Sequence, residues 1–210
     1  MSTADPHCPD SPHPGAGGPA PVGGGGPVLN GPRLCLRPLT VEALGALLGG
    51  DRAGAQRATG AVFPDPLAAP PLEEGALDRM RDRLAANPAE LGWWAWLAVD
   101  RASGAVVGSP ALSGPPDADG TVELGYATYP EFAGRGYAVE GGRLLLDWAF
   151  EDPRVRRVLA VVPPAHDASV SVARRLGLSV IGRAHDEEAG ELLLLERARA
   201  DPPTGPSARR

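Results

Sequence analysis

The hydrophobic and polar positions change rhythm several times along the chain, and each change marks an element. RLCLRPL at Arg33–Leu39 is short and apolar and predicts a first strand. Thr40 then caps a segment with apolar residues at Val41, Leu44 and Leu48, a helix closed by Gly49-Gly50. Residues 51–73, rich in Gly, Ala and Pro, show no period that assigns them. Glu73–Ala86 reads as a second helix, acidic at its start and Arg-rich towards its end, as the helix dipole favours. GWWAWLAVD (Gly92–Asp100) and Val106–Leu112 form a predicted hairpin across the turn at Ala102–Gly104.

After a turn at Pro115–Gly120, TVELGYAT (Thr121–Thr128) predicts a strand with Val122, Leu124 and Tyr126 on one face and Glu123 on the other. Tyr137–Phe150 has one apolar helical face, Arg157–Val162 reads as a short buried strand, and Asp167–Leu176 as a helix ended by Gly177. Leu178–Ile181 and Glu191–Glu196 supply the last strands. The order is strand, two helices, three strands, helix, strand, helix, two strands. It predicts an α/β (α+β) domain, a mixed sheet with helices packed on it.

Composition sets the limits of that domain. Residues 1–31 are mostly Pro, Gly, Ala, Ser and His, too poor in large apolar side chains to offset the entropy of ordering them. They read as a disordered tail, as do 201–210, which leaves 32–200 as one folded unit. The start lacks the basic and apolar run of a signal peptide, and no stretch has the roughly 20 apolar residues that cross a bilayer, so no membrane association is expected. Two cysteines, Cys8 and Cys35, make no disulfide framework, and a reducing cytoplasm is the default. His7, Cys8 and His13 in the tail do not make a metal site.

Charge excludes several classes. A net charge of −6 argues against nucleic-acid binding, which needs a basic footprint, and suits a cationic acceptor such as an amine. All 20 basic residues are Arg, so neither a lysine-bearing phosphate loop nor Schiff-base chemistry is available.

The chemistry concentrates in PEFAGRGYA, Pro130–Ala138. Gly134 and Gly136 stand one residue apart directly before a helix, where glycine permits a tight turn and leaves backbone N–H groups open to an anion. No Ser, Thr, Asp or Asn occupies the helix N-cap to satisfy its first-turn donors, a role that a phosphate can take. Arg135 adds a fixed charge. A plain strand-to-helix turn has the same glycines. The Rossmann reading fails, because its third glycine would fall on Val139 and the loop does not follow the first strand.

In context the loop is recognisable. VELGY, then PEFAGRGYAVE, a helix ending DWAF, VRRV, and HDASVSVARRLGL resemble the GNAT acyltransferases, and are most similar to their Rim-type branch, which acetylates ribosomal proteins and protein N-termini. The resemblance covers about Arg33 to Glu196. It implies a mostly antiparallel sheet with a splayed strand pair, 121–128 and 157–162, that admits the pantetheine arm of acetyl-CoA. It implies that the cofactor pyrophosphate is held by Phe132, Ala133, Gly134, Arg135, Gly136, Tyr137 and Ala138, with no metal. The family's Asn before the last cofactor-side helix falls on His166, and its Ser is retained as Ser169. A tyrosine that some members use to protonate the departing thiolate falls on Ala173.

The same resemblance implies a free backbone N–H near Tyr126–Ala127 for the thioester carbonyl, and Glu123 is the candidate to take the amine's proton. Glu123 as a solvated or ion-paired strand carboxylate is the alternative. The acceptor implied is a small-molecule amine or a peptide N-terminus, and the protein a monomer or homodimer. A non-catalytic acyl-CoA-binding module is the other reading, motivated by His166 and Ala173. Trp93, Trp94 and Trp96 read as core packing, with the lining of an acceptor pocket as the alternative. Glu140 reads as a structural acid in the first turn of its helix, and Arg174 and Arg175 as a solvated face or phosphate contacts.

Overall fold

The computed structural model describes residues 26–64, 67 and 75–200. The tail readings for 1–25 and 201–210, the tail His and Cys residues, and the acidic start at Glu73 lie outside the described residues. Among those described, eight strands form one sheet in the order β1-β2-β3-β4-β5-β6-β8-β7. The strands are β1 Leu29–Asn30, β2 Leu34–Pro38, β3 Trp96–Asp100, β4 Val106–Leu112, β5 Thr121–Thr128, β6 Arg157–Val162, β7 Ser179–Asp186 and β8 Gly190–Ala198. Neighbours pair antiparallel except β5 and β6, which run parallel.

The helices are α1 Val41–Leu48, α2 Arg52–Thr59, α3 Ala76–Ala86, α4 Tyr137–Glu151 and α5 Asp167–Arg175. They cover both faces of the sheet. Alternation along the strands decides which side chain meets which layer: Trp96 and Ala98 pack with Leu145, Leu146 and Ala149 of α4 and Ala173 of α5. Leu97 and Val99 pack instead with Leu44 of α1, Ala55 of α2 and Met80 and Leu84 of α3. Val122 and Leu124 of β5 join the first layer, which leaves Glu123 on the other side as the alternation requires.

Several boundaries differ from the sequence reading. The folded unit begins before residue 32, because Leu29 and Asn30 pair with Leu36 and Cys35. α2 lies in the stretch that showed no period. Its signals are local caps: the Asp51 carboxylate accepts the Gly54 N–H at 2.8 Å, and Gly60 ends the helix at φ +64°. α1 buries Ala43, Leu44 and Leu47, and Val41 and Leu48 face outward. β3 starts at Trp96 and not at Gly92, since Gly92 turns at φ +96°. β7 and β8 run longer than expected because they pair with each other along their length. Cys35 is buried on β2 between Leu34 and Leu36. No helix among the described residues is long and apolar enough to cross a membrane.

Candidate functional site

The one parallel pair in the sheet is also where the sheet opens. β5 and β6 pair only at Thr121↔Arg157, Val122↔Val158 and Glu123↔Leu159, and beyond Glu123 the two strands part. β6 stays paired with β8 as far as Val162, so it is β5 that is left with an open edge. α4 is the crossover between them, and Tyr137 and Ala138 at its N-terminus lie beside Tyr126, Ala127 and Thr128 at the carboxyl end of β5. A ligand entering the gap would meet those helix donors first.

Backbone direction along β5 follows from its pairing with β4. The Ser113 N–H donates to the Glu123 carbonyl at 3.1 Å, and the Tyr129 N–H donates to the Val107 carbonyl at 3.0 Å. Antiparallel alternation therefore turns the backbone groups of residues 123, 125, 127 and 129 towards β4. Those of Leu124, Tyr126 and Thr128 face the opposite edge, where β6 has separated. Gly108 of β4 underlines the point, since a Cβ there would lie 2.3 Å from the Ala127 carbonyl oxygen. Of the two backbone candidates, Tyr126 faces the gap and Ala127 does not, because its N–H belongs to the ladder with Ser109.

The loop before α4 is braced from several sides. Gly134 has φ +75° and Gly136 φ +80°, conformations that other residues rarely adopt. A Cβ on Gly134 would meet nothing within 4 Å, and one on Gly136 only the Arg33 guanidinium at 3.6 Å, so the surface over both glycines is open. Gly136 is the N-cap of α4 and no side chain caps it. Phe132 and Ala133 spend their N–H groups on the carbonyls of Tyr129 and Pro130, so backbone donors for a phosphate begin after them. Both still shape the loop: the Arg135 guanidinium stacks over the Phe132 ring at 5.5 Å, and that ring meets Tyr137 edge-on at 6.3 Å. Ala138, half-buried, lies in the first turn of α4.

Arg33 is the part of this site that sequence reasoning missed. Its guanidinium pairs with Glu140 at 2.7 Å, donates to the Arg135 carbonyl at 2.9 Å and lies over the Tyr137 ring at 4.7 Å. Glu140 in turn accepts the backbone N–H of Arg33 at 2.8 Å and of Leu34 at 3.0 Å. It is thus a structural acid that docks the start of β2 on the helix. The only sequence signal for this arrangement is opposite charge, across a separation of 107 residues.

Tyr137 ties the loop to β3, donating from its hydroxyl to Asp100 at 3.0 Å. Burial tends to raise the Asp100 carboxyl, but hydrogen bonds from Ser103 and Tyr137 outweigh it and hold the group below the usual carboxylate range. His166 is the exposed N-cap of α5 and makes no side-chain cap bond. Ser169, half-buried one turn into α5, accepts the Tyr126 hydroxyl on its carbonyl at 2.6 Å.

On the other face of β5 is a cavity of about 460 Å³. Glu123, Gly125 and Ala127 line it from β5, and Arg79 and Met80 from α3. Trp94 lines it too, with its indole N–H held by Glu90 at 3.1 Å. Trp93 and Trp96 are buried against Trp148, so the three tryptophans divide between core and cavity. Among the described residues no group of His, Cys, Asp and Glu is gathered to hold a metal ion.

Comparison with known proteins agrees with this arrangement. Two relatives from Bacillus subtilis are the uncharacterized N-acetyltransferase YjdG, 29% identical over 49% of this chain, and the uncharacterized protein YkkB, 31% identical over 40%. The matched segments span 61% and 49% of those relatives' own lengths. Among solved structures, the ribosomal-protein-S5-alanine acetyltransferase from Vibrio fischeri matches with a TM-score of 0.60 at 17% identity, over 84% of this chain and 98% of that one. RimL, a ribosomal L7/L12 α-N-protein acetyltransferase solved with coenzyme A, matches with a TM-score of 0.57 at 16% identity, over 82% of this chain and 98% of that one. These structures share the fold, with one mostly antiparallel sheet flanked by helices. The family model described as an acetyltransferase (GNAT) domain matches residues 33–179, most of the chain and the whole of the loop and splayed pair, and the protein belongs to the GNAT acetyltransferase family.

Proposed function

We propose that the protein transfers an acetyl group from acetyl-CoA to a primary amine, on a small molecule or a peptide N-terminus, by direct attack. The observation that carries this reading is the loss of β5–β6 pairing after Glu123, just where Tyr126 turns its N–H towards the gap. An extended pantetheine arm would fill that gap as a strand does. The open surface over Gly134 and the uncapped first turn of α4 suit the pyrophosphate, and Arg135 adds its charge. The solved complex of RimL with coenzyme A, at the same fold, supports the choice of cosubstrate.

In this mechanism the Tyr126 N–H donates to the thioester carbonyl, and the bond strengthens as that oxygen becomes an oxyanion. The amine arrives from the cavity side. An α-amino group has a pKa of about 8 and is mostly protonated at neutral pH, so a base must accept its proton. Glu123, on the cavity wall, accepts it directly or through a water. Attack forms the C–N bond, the C–S bond breaks, and the electron pair leaves on sulfur. Ala173 has no proton to give, and a thiolate of ordinary basicity, pKa about 8.5 in cysteine, takes one from solvent.

The test is release of free thiol from acetyl-CoA with a panel of amines and N-terminal peptides, beside calorimetric titration of acetyl-CoA. Acceptor-dependent thiol release is the expected result. A silent panel from a protein that still binds acetyl-CoA would replace the enzyme reading with a non-catalytic binding module.

A further inference from the structure

The cavity beside Glu123 has a charge pattern of its own. Its apolar part is Trp94, Met80, Ala76, Ala111 and Ala127, and among the described residues its lining has one carboxylate, Glu123, and one guanidinium, Arg79. They belong to different elements. Glu123 projects from the sheet and Arg79 from α3, which passes over it. Ala76, Arg79 and Met80 are spaced three and four apart, so they share one helical face. Ala76 and Met80 are buried on that face and Arg79 is exposed at its margin.

We propose that the acceptor is an amino acid or a similarly small amine with an apolar body and its own carboxylate, the amine directed to Glu123 and the carboxylate held by Arg79. The inference rests on the acyl-transfer reading above and adds the class of acceptor. Arginine presents a planar fork of N–H donors that matches a carboxylate, and a pair of opposite charges in the cavity orients a zwitterion in one sense only. Trp94, fixed by its bond to Glu90, gives the apolar body a rigid surface. Arg79 already has a partner within the protein, which the acceptor carboxylate joins or displaces.

The experiment compares matched pairs that differ only in the carboxylate: tryptophan with tryptamine, phenylalanine with phenethylamine, methionine with 3-(methylthio)propylamine. Initial rates of thiol release give kcat/KM for each. A charge-assisted contact predicts a preference of roughly 10- to 100-fold for the amino acid, expressed mainly in KM. Arg79→Met should erase most of that preference, Arg79→Lys should restore part of it, and neither should change the dissociation constant for acetyl-CoA. Equal rates within pairs, a preference for the decarboxylated member, or a preference that survives Arg79→Met would overturn the inference and leave acetyl transfer standing. Silence with both members of every pair, and with peptides, would overturn both.

Discussion

The hydroxyl of Tyr126 donates to the main-chain carbonyl of Ser169 at 2.6 Å, a side-chain bond from β5 to α5 on the same face as the gap between β5 and β6. The residue whose N–H faces the gap is therefore held from its other end by the helix that flanks the gap. Burial pushes the Tyr126 phenol up to about 12, so it stays a donor throughout the neutral range.

Tyr126→Phe should remove this tie and little else. We expect about 0.5–1.5 kcal/mol of destabilisation in urea, the usual worth of one hydrogen bond. The pH dependence has a definite sign. With the folded pKa above the unfolded value of 10.0, the contribution is complete below pH 10 and fades as the pH climbs towards 12, because the unfolded tyrosine ionises first. The Phe variant should lose less stability than the parent over that window. Identical alkaline curves would mean that Tyr126 titrates in the folded protein as an exposed tyrosine does.

Glu123→Gln keeps the shape of the cavity wall and removes the base. Turnover should fall by about 10²–10⁴-fold, a typical loss for a general base, with the acetyl-CoA dissociation constant nearly unchanged. Stopped-assay rates at and below neutral pH decide the matter. Unaltered turnover there would return Glu123 to the status of a solvated or ion-paired strand carboxylate.

Gly134→Asp should abolish acetyl-CoA binding and leave the protein folded. A Cβ at Gly134 meets no atom within 4 Å, so the added cost to the fold is the positive φ alone, about 1–2 kcal/mol for an L-residue. The carboxylate would oppose the phosphates at the uncapped start of α4. Circular dichroism should match the parent while calorimetry shows no heat of binding. Retained affinity in a folded variant would reduce the loop to a plain turn.

Glu140→Ala should weaken both the fold and the loop. It strands the N–H of buried Leu34 and releases Arg33 from the position in which it holds the Arg135 carbonyl. An orphaned buried donor costs about 1–3 kcal/mol, readable as a lower urea midpoint. Weaker binding of acetyl-CoA should accompany it, because the loop loses its brace. A variant as stable as the parent would show that water replaces the carboxylate at both amides.

Much of this protein was decided within a few residues. Thr40 caps α1 through its own side chain, Gly177 turns the chain at φ +85° after α5, and the paired glycines before α4 set the loop's conformation. The two-residue period of β5 separates Glu123 from Val122 and Leu124 whatever lies around it. α2 was equally local, framed by Asp51 and Gly60, but its Ala- and Gly-rich body has too few large apolar side chains to show a period.

Other features needed the partners to be known. That Tyr126 and not Ala127 turns its N–H to the gap depends on which parity pairs with β4, and a one-residue change of register would reverse it. That β5 and β6 part after Glu123 depends on packing, since nothing in either strand's composition forbids pairing to continue. Trp93 and Trp94 are neighbours in sequence, yet one packs in the core and the other lines the cavity. Arg33 donates directly to a loop carbonyl a hundred residues away and is held in place for it by one carboxylate, Glu140. Local backbone preference and side-chain period act within one element and can be read along the chain. Hydrogen-bond direction, ion pairing and the edge of a cavity are set by which elements meet, and only the packed sheet determines that.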